Sequence, residues 1–337
     1  MGRRHTRAIK GEKTHLVQPY DFPLQELEKY IPTLTQPLDF DQFWKESRSL
    51  LATEPLEDCL EPVVYPAHGV EVFRVEYRGF AGARIRGWYA RPQGHGRFPG
   101  LVVYHGYNWN LEGGLHDIVN WALHGYAVFG MAVRGQQDSG ESMPSPHGHA
   151  AGWMTQGILD PDHYYYRGVY LDAVRAVDWL TAQDEVVGTR VGVVGASQGG
   201  GLSLAVAALS AKVRVAVAEH PFLCHFRRAV NLAPAGPYGE VNEFLRRNGD
   251  PAIETQVFRT LSYFDAMNLA PWISCPVLIS SGLIDQVTPP STIFAAYHHV
   301  GSSEKTIRVY RYFGHEPIPR FHTEKLDFLM RHLQREG

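Results

Sequence analysis

One serine of this 337-residue sequence lies in a pattern that can support covalent catalysis. Ser197 is the centre of the motif Gly195–Gly199 (G-A-S-Q-G), between the apolar run Arg190–Val194 and the small-residue run Gly200–Ala208. A strand, a sharp turn and a helix form the context in which a G-x-S-x-G motif exposes its serine hydroxyl. The helix N-terminus offers free N–H groups to a developing oxyanion. The motif therefore predicts nucleophilic acyl transfer at Ser197.

Two phosphate-binding motifs are alternatives for this glycine-rich segment, and the sequence excludes both. A dinucleotide-binding G-x-G-x-x-G loop aligned on Gly195 and Gly200 would put Ser197 where a glycine must admit the pyrophosphate, although Glu219 is suitably spaced for a ribose contact. A P-loop requires Gly-Lys-Ser/Thr after its glycines, and no such triplet follows. We therefore predict no nucleotide-binding loop at this segment.

A serine nucleophile needs a base and an acid that orients it, in the order Ser, Asp/Glu, His for this motif. His315 follows the last predicted strand and Asp285 follows the strand before it. Both therefore lie with Ser197 at the carboxyl edge of a parallel sheet, where ligands bind in such folds. We predict His315 as the base and Asp285 as the acid, with Glu219 as the competing carboxylate.

An oxyanion hole for this motif combines the amide after the nucleophile with one from an earlier loop. Gln198 supplies the first amide. The sequence His105-Gly106-Tyr107-Asn108 directly follows a predicted strand, Leu101–Tyr104, and resembles the H-G motif of that loop. We predict the Tyr107 amide as the second donor. The pair His147-x-His149 could bind a metal but has no convincing ligand partners nearby, so we predict a polar loop and no metal site.

Short β-branched runs alternate with amphipathic helices after Pro99, which predicts a mostly parallel, doubly wound α/β sheet. Two earlier strands, Val70–Tyr77 and Ala83–Arg91, predict a hairpin at an antiparallel N-terminal edge. The predicted strands of the parallel part are Leu101–Tyr104, Tyr126–Val133, Arg190–Val194, Val213–Ala218, Pro276–Ser280 and Thr306–Tyr312. The predicted helices are Leu115–His124, His163–Gln183, Gln198–Ser210, Ser291–Val300 and His322–Leu333.

We predict a single domain, residues 20–337, after a basic flexible tail, residues 1–19. Leucine and aromatic spacing predicts a helical arm at 21–55. A long insertion at about 220–275 precedes the strand that leads to Asp285. Such insertions are commonly lids or binding surfaces. This one is too aromatic for a solvated linker, so we expect it to pack on something and to form a subunit interface.

Composition and charge limit the classes of partner that the protein can bind and the cellular compartment in which it is expected. Lys and Arg total 32 against 35 Asp and Glu, which excludes the basic excess of a dedicated nucleic-acid binder. No stretch approaches the roughly 20 apolar residues that span a membrane. Three widely spaced cysteines favour no disulfide framework, and the first 20 residues lack the apolar segment of a secretory signal. These features predict a cytoplasmic protein without membrane or nucleic-acid partners.

Taken together, the motifs resemble the acetyl xylan esterase / cephalosporin-C deacetylase family of carbohydrate esterases. Its R-G-Q, G-x-S-Q-G and H-E markers are similar to Arg134–Gln136, Gly195–Gly199 and His315-Glu316, in that order. The likeness extends from about Tyr20 to the C-terminus. Further similar stretches are Gly157–Asp160, Tyr164–Arg167, Pro221–Phe226 and Phe258–Phe264.

The resemblance implies an α/β-hydrolase fold and a cytoplasmic enzyme that removes acetyl groups from xylo-oligosaccharides and cephalosporin C without metal or cofactor. It assigns Ser197, His315 and Asp285 as the triad and the amides of Tyr107 and Gln198 as oxyanion donors. It also implies a doughnut-shaped homo-hexamer whose interface includes the insertion.

The sequence departs from the family at two places that could line or support the pocket. Pro317-Ile318-Pro319 replaces the glycines that often follow His315-Glu316, and Glu219-His220 replaces a common Asp-Val pair. Both departures bear on substrate preference more than on reaction type. Two alternatives remain: a prolyl-oligopeptidase-like peptidase, which usually carries an N-terminal propeller too large for the first 100 residues, and an inactive binding protein on the same fold.

Overall fold

The structure is a computed structural model that describes residues 20–109, 111–145, 152–233 and 236–334. The predicted tail 1–19 and the pair His147 and His149 lie outside these described residues. Only backbone is described at 111–113 and at residue 334.

A nine-stranded sheet organises the chain, with the spatial order β1-β2-β3-β5-β4-β6-β7-β8-β9. The strands are β1 Cys59–Val63, β2 Val70–Arg78, β3 Arg84–Pro92, β4 Phe98–Tyr104, β5 Ala127–Met131, β6 Val186–Ala196, β7 Val213–Glu219, β8 Val277–Gly282 and β9 Lys305–Tyr310. The pairings from β5 through β9 are parallel, while β1, β2 and β3 form an antiparallel edge. The mostly parallel α/β sheet with an antiparallel N-terminal edge is therefore confirmed.

Helices cover both faces of the sheet, which explains why the central strands are apolar on both sides. They are α1 Leu24–Leu27, α2 Phe40–Thr53, α3 Leu111–Leu123, α4 Tyr165–Thr181, α5 Gln198–Leu209, α6 Phe226–Leu232, α7 Pro237–Asn248, α8 Pro251–Tyr263, α9 Ala266–Leu269, α10 Pro290–His299 and α11 Pro319–Leu329. One core joins α4 and α5 to the sheet, and the other joins α3 and α11 to the opposite face. None of the described helices is both long and apolar enough to cross a bilayer.

The predicted insertion folds into helices α6 to α9, and most of its aromatic side chains are buried within the same chain. Phe222 and Tyr238 are fully buried with ring centroids 4.3 Å apart. Phe264 is also buried and packs against Trp44 of the N-terminal arm, with ring centroids 5.5 Å apart. Contacts inside the chain therefore already remove these rings from water, and the subunit interface expected at the insertion stays a prediction.

The N-terminal arm is helical in two pieces rather than throughout 21–55. Helices α1 and α2 are separated by an extended stretch that contains Pro32 and Pro37. Proline lacks the backbone N–H that a continuous helix requires, so the chain stays extended here. Within α2, Trp44 is buried, and its indole N–H donates to the Tyr263 carbonyl at 3.0 Å. The arm and the insertion therefore pack as one layer on the sheet.

Candidate active site

Ser197 occupies a strained turn between β6 and α5. Its φ of 55° and ψ of −118° are unusual for a residue with a side chain. The flanking glycines permit the turn: a Cβ on Gly195 would lie 2.3 Å from the Gly199 carbonyl carbon, and one on Gly199 would lie 1.9 Å from the Tyr104 oxygen. No larger residue fits at either position. The turn lifts the Ser197 hydroxyl above the carboxyl edge of the sheet.

His315 and Asp285 lie within hydrogen-bond reach of one another and of Ser197. The Ser197 Oγ is 2.9 Å from His315 Nε2, and His315 Nδ1 is 2.8 Å from Asp285 Oδ2. The distances fit a tautomer in which Nδ1–H donates to Asp285 and Nε2 accepts from the serine. The structure thus brings the three predicted residues together in a serine–histidine–carboxylate chain that can activate a hydroxyl for nucleophilic attack.

The Asp285 carboxylate is fully buried and held by its own loop. Oδ1 accepts the backbone N–H groups of Val287 and Thr288, both at 2.8 Å, and Oδ2 accepts the Thr288 hydroxyl at 2.7 Å. Burial opposes ionisation, but hydrogen bonds from His315 and Thr288 outweigh it and lower the pKa of Asp285. The carboxylate is therefore charged at neutral pH. Sequence reasoning missed Thr288, although a threonine three residues after an aspartate often closes such a turn.

Glu219, the competing carboxylate, is directed elsewhere. Its side chain forms a buried ion pair with Lys325 of helix α11. Its carbonyl accepts the Ser197 backbone N–H at 2.9 Å. Glu219 therefore supports the turn and ties β7 to the C-terminal helix, and its carboxylate does not contact His315.

His220 packs directly against the histidine of the hydrogen-bonded chain. The two rings meet edge to face with centroids 4.6 Å apart. His220 is 5% exposed, and its Nδ1 is buried without a hydrogen-bond partner in the described part of the chain. Burial, followed by the proximity of His315, lowers the pKa of His220 to about 4. The neutral imidazole of His220 therefore packs against His315. His220 belongs to the Glu219-His220 pair, one of the two places where the sequence departs from the family.

The loop after β4 passes beside the serine. A Cβ on Gly106 would lie 3.9 Å from the Ser197 Cβ. His105 anchors the loop: its Nε2 accepts the Val133 N–H at 2.9 Å, and its Nδ1 donates to the Gly106 carbonyl at 2.7 Å. Burial lowers the pKa of His105 to about 4, so the ring is neutral and can make both bonds. The Gln198 and Tyr107 amides donate to no protein acceptor among the described residues. Both N–H groups are free to bind an oxyanion.

Comparison with known proteins identifies the family. The family described as acetyl xylan esterase (AXE1) matches residues 17–332, nearly the whole chain. The chain belongs to the acetyl xylan esterase family. It is a carboxylic ester hydrolase, and solved α/β-hydrolase structures share its fold.

Two solved acetyl xylan esterases and one acetyl esterase illustrate the similarity. The acetyl xylan esterase from Paenibacillus sp. R4 is 42% identical, with a TM-score of 0.90 over 93% of this chain and 100% of that one. Acetyl xylan esterase 1 from Thermoanaerobacterium sp. JW/SL YS485 is 36% identical, with a TM-score of 0.88 over 92% and 99%. Acetyl esterase Axe7A from Xylanibacter ruminicola is 28% identical over 306 residues, which are 89% of this chain and 67% of that protein.

The R-G-Q marker of this acetyl xylan esterase family member supports the loops around the site. Arg134 is fully buried and pairs with Asp172 at 2.6 Å. Gln136 lies closer to the site, where its Oε1 accepts the Asn108 N–H at 2.9 Å and its Nε2 donates to the Gln198 side chain at 3.0 Å. Gln136 therefore links the loop of Tyr107 to the helix that begins after Ser197. Among the described residues, no group of three or more His, Cys, Asp or Glu side chains is arranged to hold a metal ion.

Proposed function

We propose that this chain is a serine esterase that removes acetyl groups from small acetylated carbohydrates, xylo-oligosaccharides in particular, and from cephalosporin C. The observation that carries the proposal is the hydrogen-bonded chain from Ser197 through His315 to Asp285, in a member of the acetyl xylan esterase family. The proposal is supported by the position of the three residues, each of which follows a different strand at one edge of the sheet.

In the acylation step, the Ser197 oxygen attacks the acetyl carbonyl carbon while His315 Nε2 takes the hydroxyl proton. As negative charge develops on the carbonyl oxygen, that oxygen accepts hydrogen bonds from the backbone N–H groups of Tyr107 and Gln198. When the tetrahedral intermediate collapses, the bond to the sugar oxygen breaks and His315 returns the proton to that oxygen. The free alcohol leaves, and the acetyl group remains on Ser197.

Deacylation repeats the sequence with water. His315 takes a proton from water as the water oxygen attacks the acetyl-serine carbonyl, and the same two amides hold the second oxyanion. Collapse then breaks the bond to Ser197, whose oxygen regains its proton from His315, and acetic acid leaves and ionises to acetate in solution. Asp285 stays ionised throughout and stabilises the imidazolium that forms in each step.

An exposed tryptophan beside the nucleophile suits a carbohydrate alcohol. A Cβ on Gly106 would lie 3.8 Å from the Trp109 Cβ and 3.9 Å from the Ser197 Cβ, so the two side chains begin close to each other, on either side of Gly106. The Trp109 side chain is 64% exposed. Ligand-binding sites are lined mainly by hydrophobic and aromatic side chains. We propose that it stacks on the sugar.

A substrate screen of the purified protein tests this function. Acetate release should be measured with acetylated xylo-oligosaccharides and cephalosporin C, and amine release with an acylated peptide amide. We expect turnover of the acetyl esters and none of the amide. Preferential amide cleavage would instead identify a peptidase, and no turnover of any substrate would favour a binding protein on this fold.

We also propose a closed homo-hexamer, which the family resemblance implies. Two apolar side chains of the arm support a contact surface: Leu38 is fully exposed and Ile31 is 64% exposed. This stretch adjoins the insertion, because the Thr35 N–H donates to the Asn268 side chain at 3.0 Å. Light scattering should give six times the chain mass of 37.9 kDa, and Leu38→Asp should lower it. A mass near that of one chain at micromolar concentration would contradict the proposal.

We also propose that the enzyme is cytoplasmic. Cys59, Cys224 and Cys275 are all free in the structure, and the last two are buried, which suits a reducing compartment. Fractionation of cells that express the full gene, followed by an acetyl esterase assay of each fraction, would locate the enzyme. Activity confined to the medium would contradict this location.

A further inference from the structure

A glutamate of the insertion is bound to the side chain of the oxyanion-loop tyrosine. The Tyr107 hydroxyl lies 2.9 Å from each Glu240 carboxylate oxygen and donates to them. Glu240 lies in the first turn of α7, 133 residues away in sequence. The sequence offers no local signal for this pairing, because only the folded insertion brings the two residues together.

The same two groups also hold the segment that follows Gly152. The Trp153 N–H donates to the Tyr107 hydroxyl at 2.7 Å, and the Met154 N–H donates to Glu240 Oε2 at 3.1 Å. Gly152 makes room for the carboxylate, since a Cβ there would lie 2.0 Å from the Glu240 carboxyl carbon. One carboxylate therefore joins the oxyanion loop, this segment and helix α7.

The insertion holds the tyrosine at two points. Glu240 binds the phenol oxygen, and Phe222 packs edge to face on the ring with centroids 6.3 Å apart. Burial and the neighbouring carboxylate raise the pKa of Tyr107 well above its ordinary value, so the phenol keeps its proton and remains a donor. Burial raises the pKa of Glu240, while the Met154 amide and the Tyr107 hydroxyl oppose that rise.

We propose that Glu240 is a positioning residue: by anchoring the Tyr107 side chain, it fixes where the Tyr107 amide lies relative to the reacting carbonyl. The proposal rests on the proposed function, in which that amide is an oxyanion donor. An oxyanion donor acts only within hydrogen-bond distance of the developing charge, and its removal costs about 10²- to 10³-fold in kcat. If the loop loses the contact with Glu240 but keeps the Tyr107 amide, kcat should fall by less than complete removal of the donor would cause.

The test compares four variants with 4-nitrophenyl acetate as substrate. We expect Glu240→Ala and Tyr107→Phe each to lower kcat by about 10- to 100-fold with KM changed less than about threefold. Glu240→Gln keeps one oxygen acceptor and should recover part of the loss. Glu243→Ala is the matched control, because Glu243 lies on the same helix and, among the described residues, forms its ion pairs with Arg246 and Arg247 at the surface.

Two further measurements separate positioning from a general structural effect. In the double variant, the losses from Glu240→Ala and Tyr107→Phe should not multiply, because each single variant already removes the hydrogen bond between these two side chains. Methylboronic acid forms a tetrahedral serine adduct that mimics the intermediate, so its affinity should fall by the same factor as kcat. A structural role alone would lower the melting temperature without this parallel.

Several outcomes would overturn the inference. Folded Glu240→Ala with kcat within twofold of the parent would do so, as would a Tyr107→Phe enzyme with unchanged kcat. If Glu240→Ala fails to fold, Tyr107→Phe alone decides the question. Ser197→Ala separates the two levels of the argument: if it retains ester hydrolysis, the proposed function itself fails, whereas its inactivity beside an active Glu240→Ala enzyme refutes only the positioning role.

Discussion

The Glu219 carboxylate binds Lys325, while the Asp285 carboxylate binds His315 Nδ1 at 2.8 Å. The sequence placed both acids at carboxyl ends of neighbouring strands, so spacing did not exclude either one. In the structure the two carboxylates have different partners. Glu219 neutralises a buried ammonium group, and Asp285 alone reaches the imidazole.

Substitution of each acid by its amide should therefore have very different effects. In Asp285→Asn the amide N–H₂ would face His315 Nδ1 and favour the tautomer whose Nε2 cannot accept the serine proton. We expect a loss of kcat on the order of 10⁴-fold, by analogy with serine proteases. Glu219→Gln should cost less than about tenfold, mainly through a weaker contact with Lys325.

Both variants must be shown to fold and assemble like the parent, by thermal melts and light scattering, before kcat is compared. An inactive Glu219→Gln enzyme beside an active Asp285→Asn enzyme would move the acid to the earlier strand.

The exposed indole at the site mouth gives a second prediction, on binding of the alcohol part. Trp109→Ala should raise KM for an acetylated xylo-oligosaccharide about fivefold and leave KM for ethyl acetate unchanged. Covering about 40 Å² of apolar surface is worth about 1 kcal/mol, which corresponds to that factor. Trp109→Phe keeps an aromatic face and should keep most of the affinity. Equal KM values for the oligosaccharide in all three proteins would show that the sugar does not contact this residue.

Acyl length gives a third prediction. The family resemblance implies a pocket that admits acetyl and little more, so kcat/KM should fall steeply from acetate to butyrate esters of one alcohol. A methylene that fits a pocket gains about 1–3 kcal/mol, so a steep fall means that longer chains are excluded sterically. A series of 4-nitrophenyl esters measures this directly. Equal or better activity on octanoate would indicate a lipase-like enzyme.

A fourth prediction concerns acid stability and the buried His220. Its pKa of about 4 lies below the ordinary 6.5, so between these pH values the unfolded chain holds a proton that the folded chain does not. The contribution of this group to the free energy of unfolding is therefore fully present above pH 6.5. As the pH is lowered from 6.5 towards 4, that contribution decreases by up to about 1.4 kcal/mol per pH unit. His315 and Lys325 favour the neutral ring, while Glu219 and Asp285 oppose that effect.

His220→Val, the residue common in the family, should lose less stability on acidification. Between pH 7 and pH 5, we expect the parent to lose about 2 kcal/mol more than the variant in urea unfolding at equal protein concentration. His68→Ala, which removes an exposed histidine, should behave like the parent. Identical pH dependence of parent and His220→Val would refute a neutral buried His220.

Local patterns predicted the central sheet well and the peripheral elements poorly. The strands from β4 to β8 contain apolar runs that are largely buried, β9 is a half-buried edge strand, and each of the six was predicted within a few residues. Strand β1 was missed because it is an exposed edge strand that contains Pro62 and has no apolar alternation. The helices of the insertion were not assigned, because their aromatic residues are covered by contacts within the insertion and with the distant arm, which no local pattern specifies.

The same contrast holds for the site. Ser197, Asp285 and His315 follow strands, so the chain order and the sheet topology brought them to one edge. Thr288 and Gln136 are local to recognisable motifs, yet their hydrogen bonds depend on loop conformation. The contact of Glu240 with Tyr107 depends on the packing of the whole insertion, which no local pattern specifies.

The most direct test of the central claim is acetate release from an acetylated xylo-oligosaccharide by the parent and by Ser197→Ala, with intact mass measured during turnover. We predict that the parent releases acetate and carries a transient addition of one acetyl group at Ser197. The folded Ser197→Ala protein should show neither. Acetate release by Ser197→Ala at a rate near that of the parent would contradict the account.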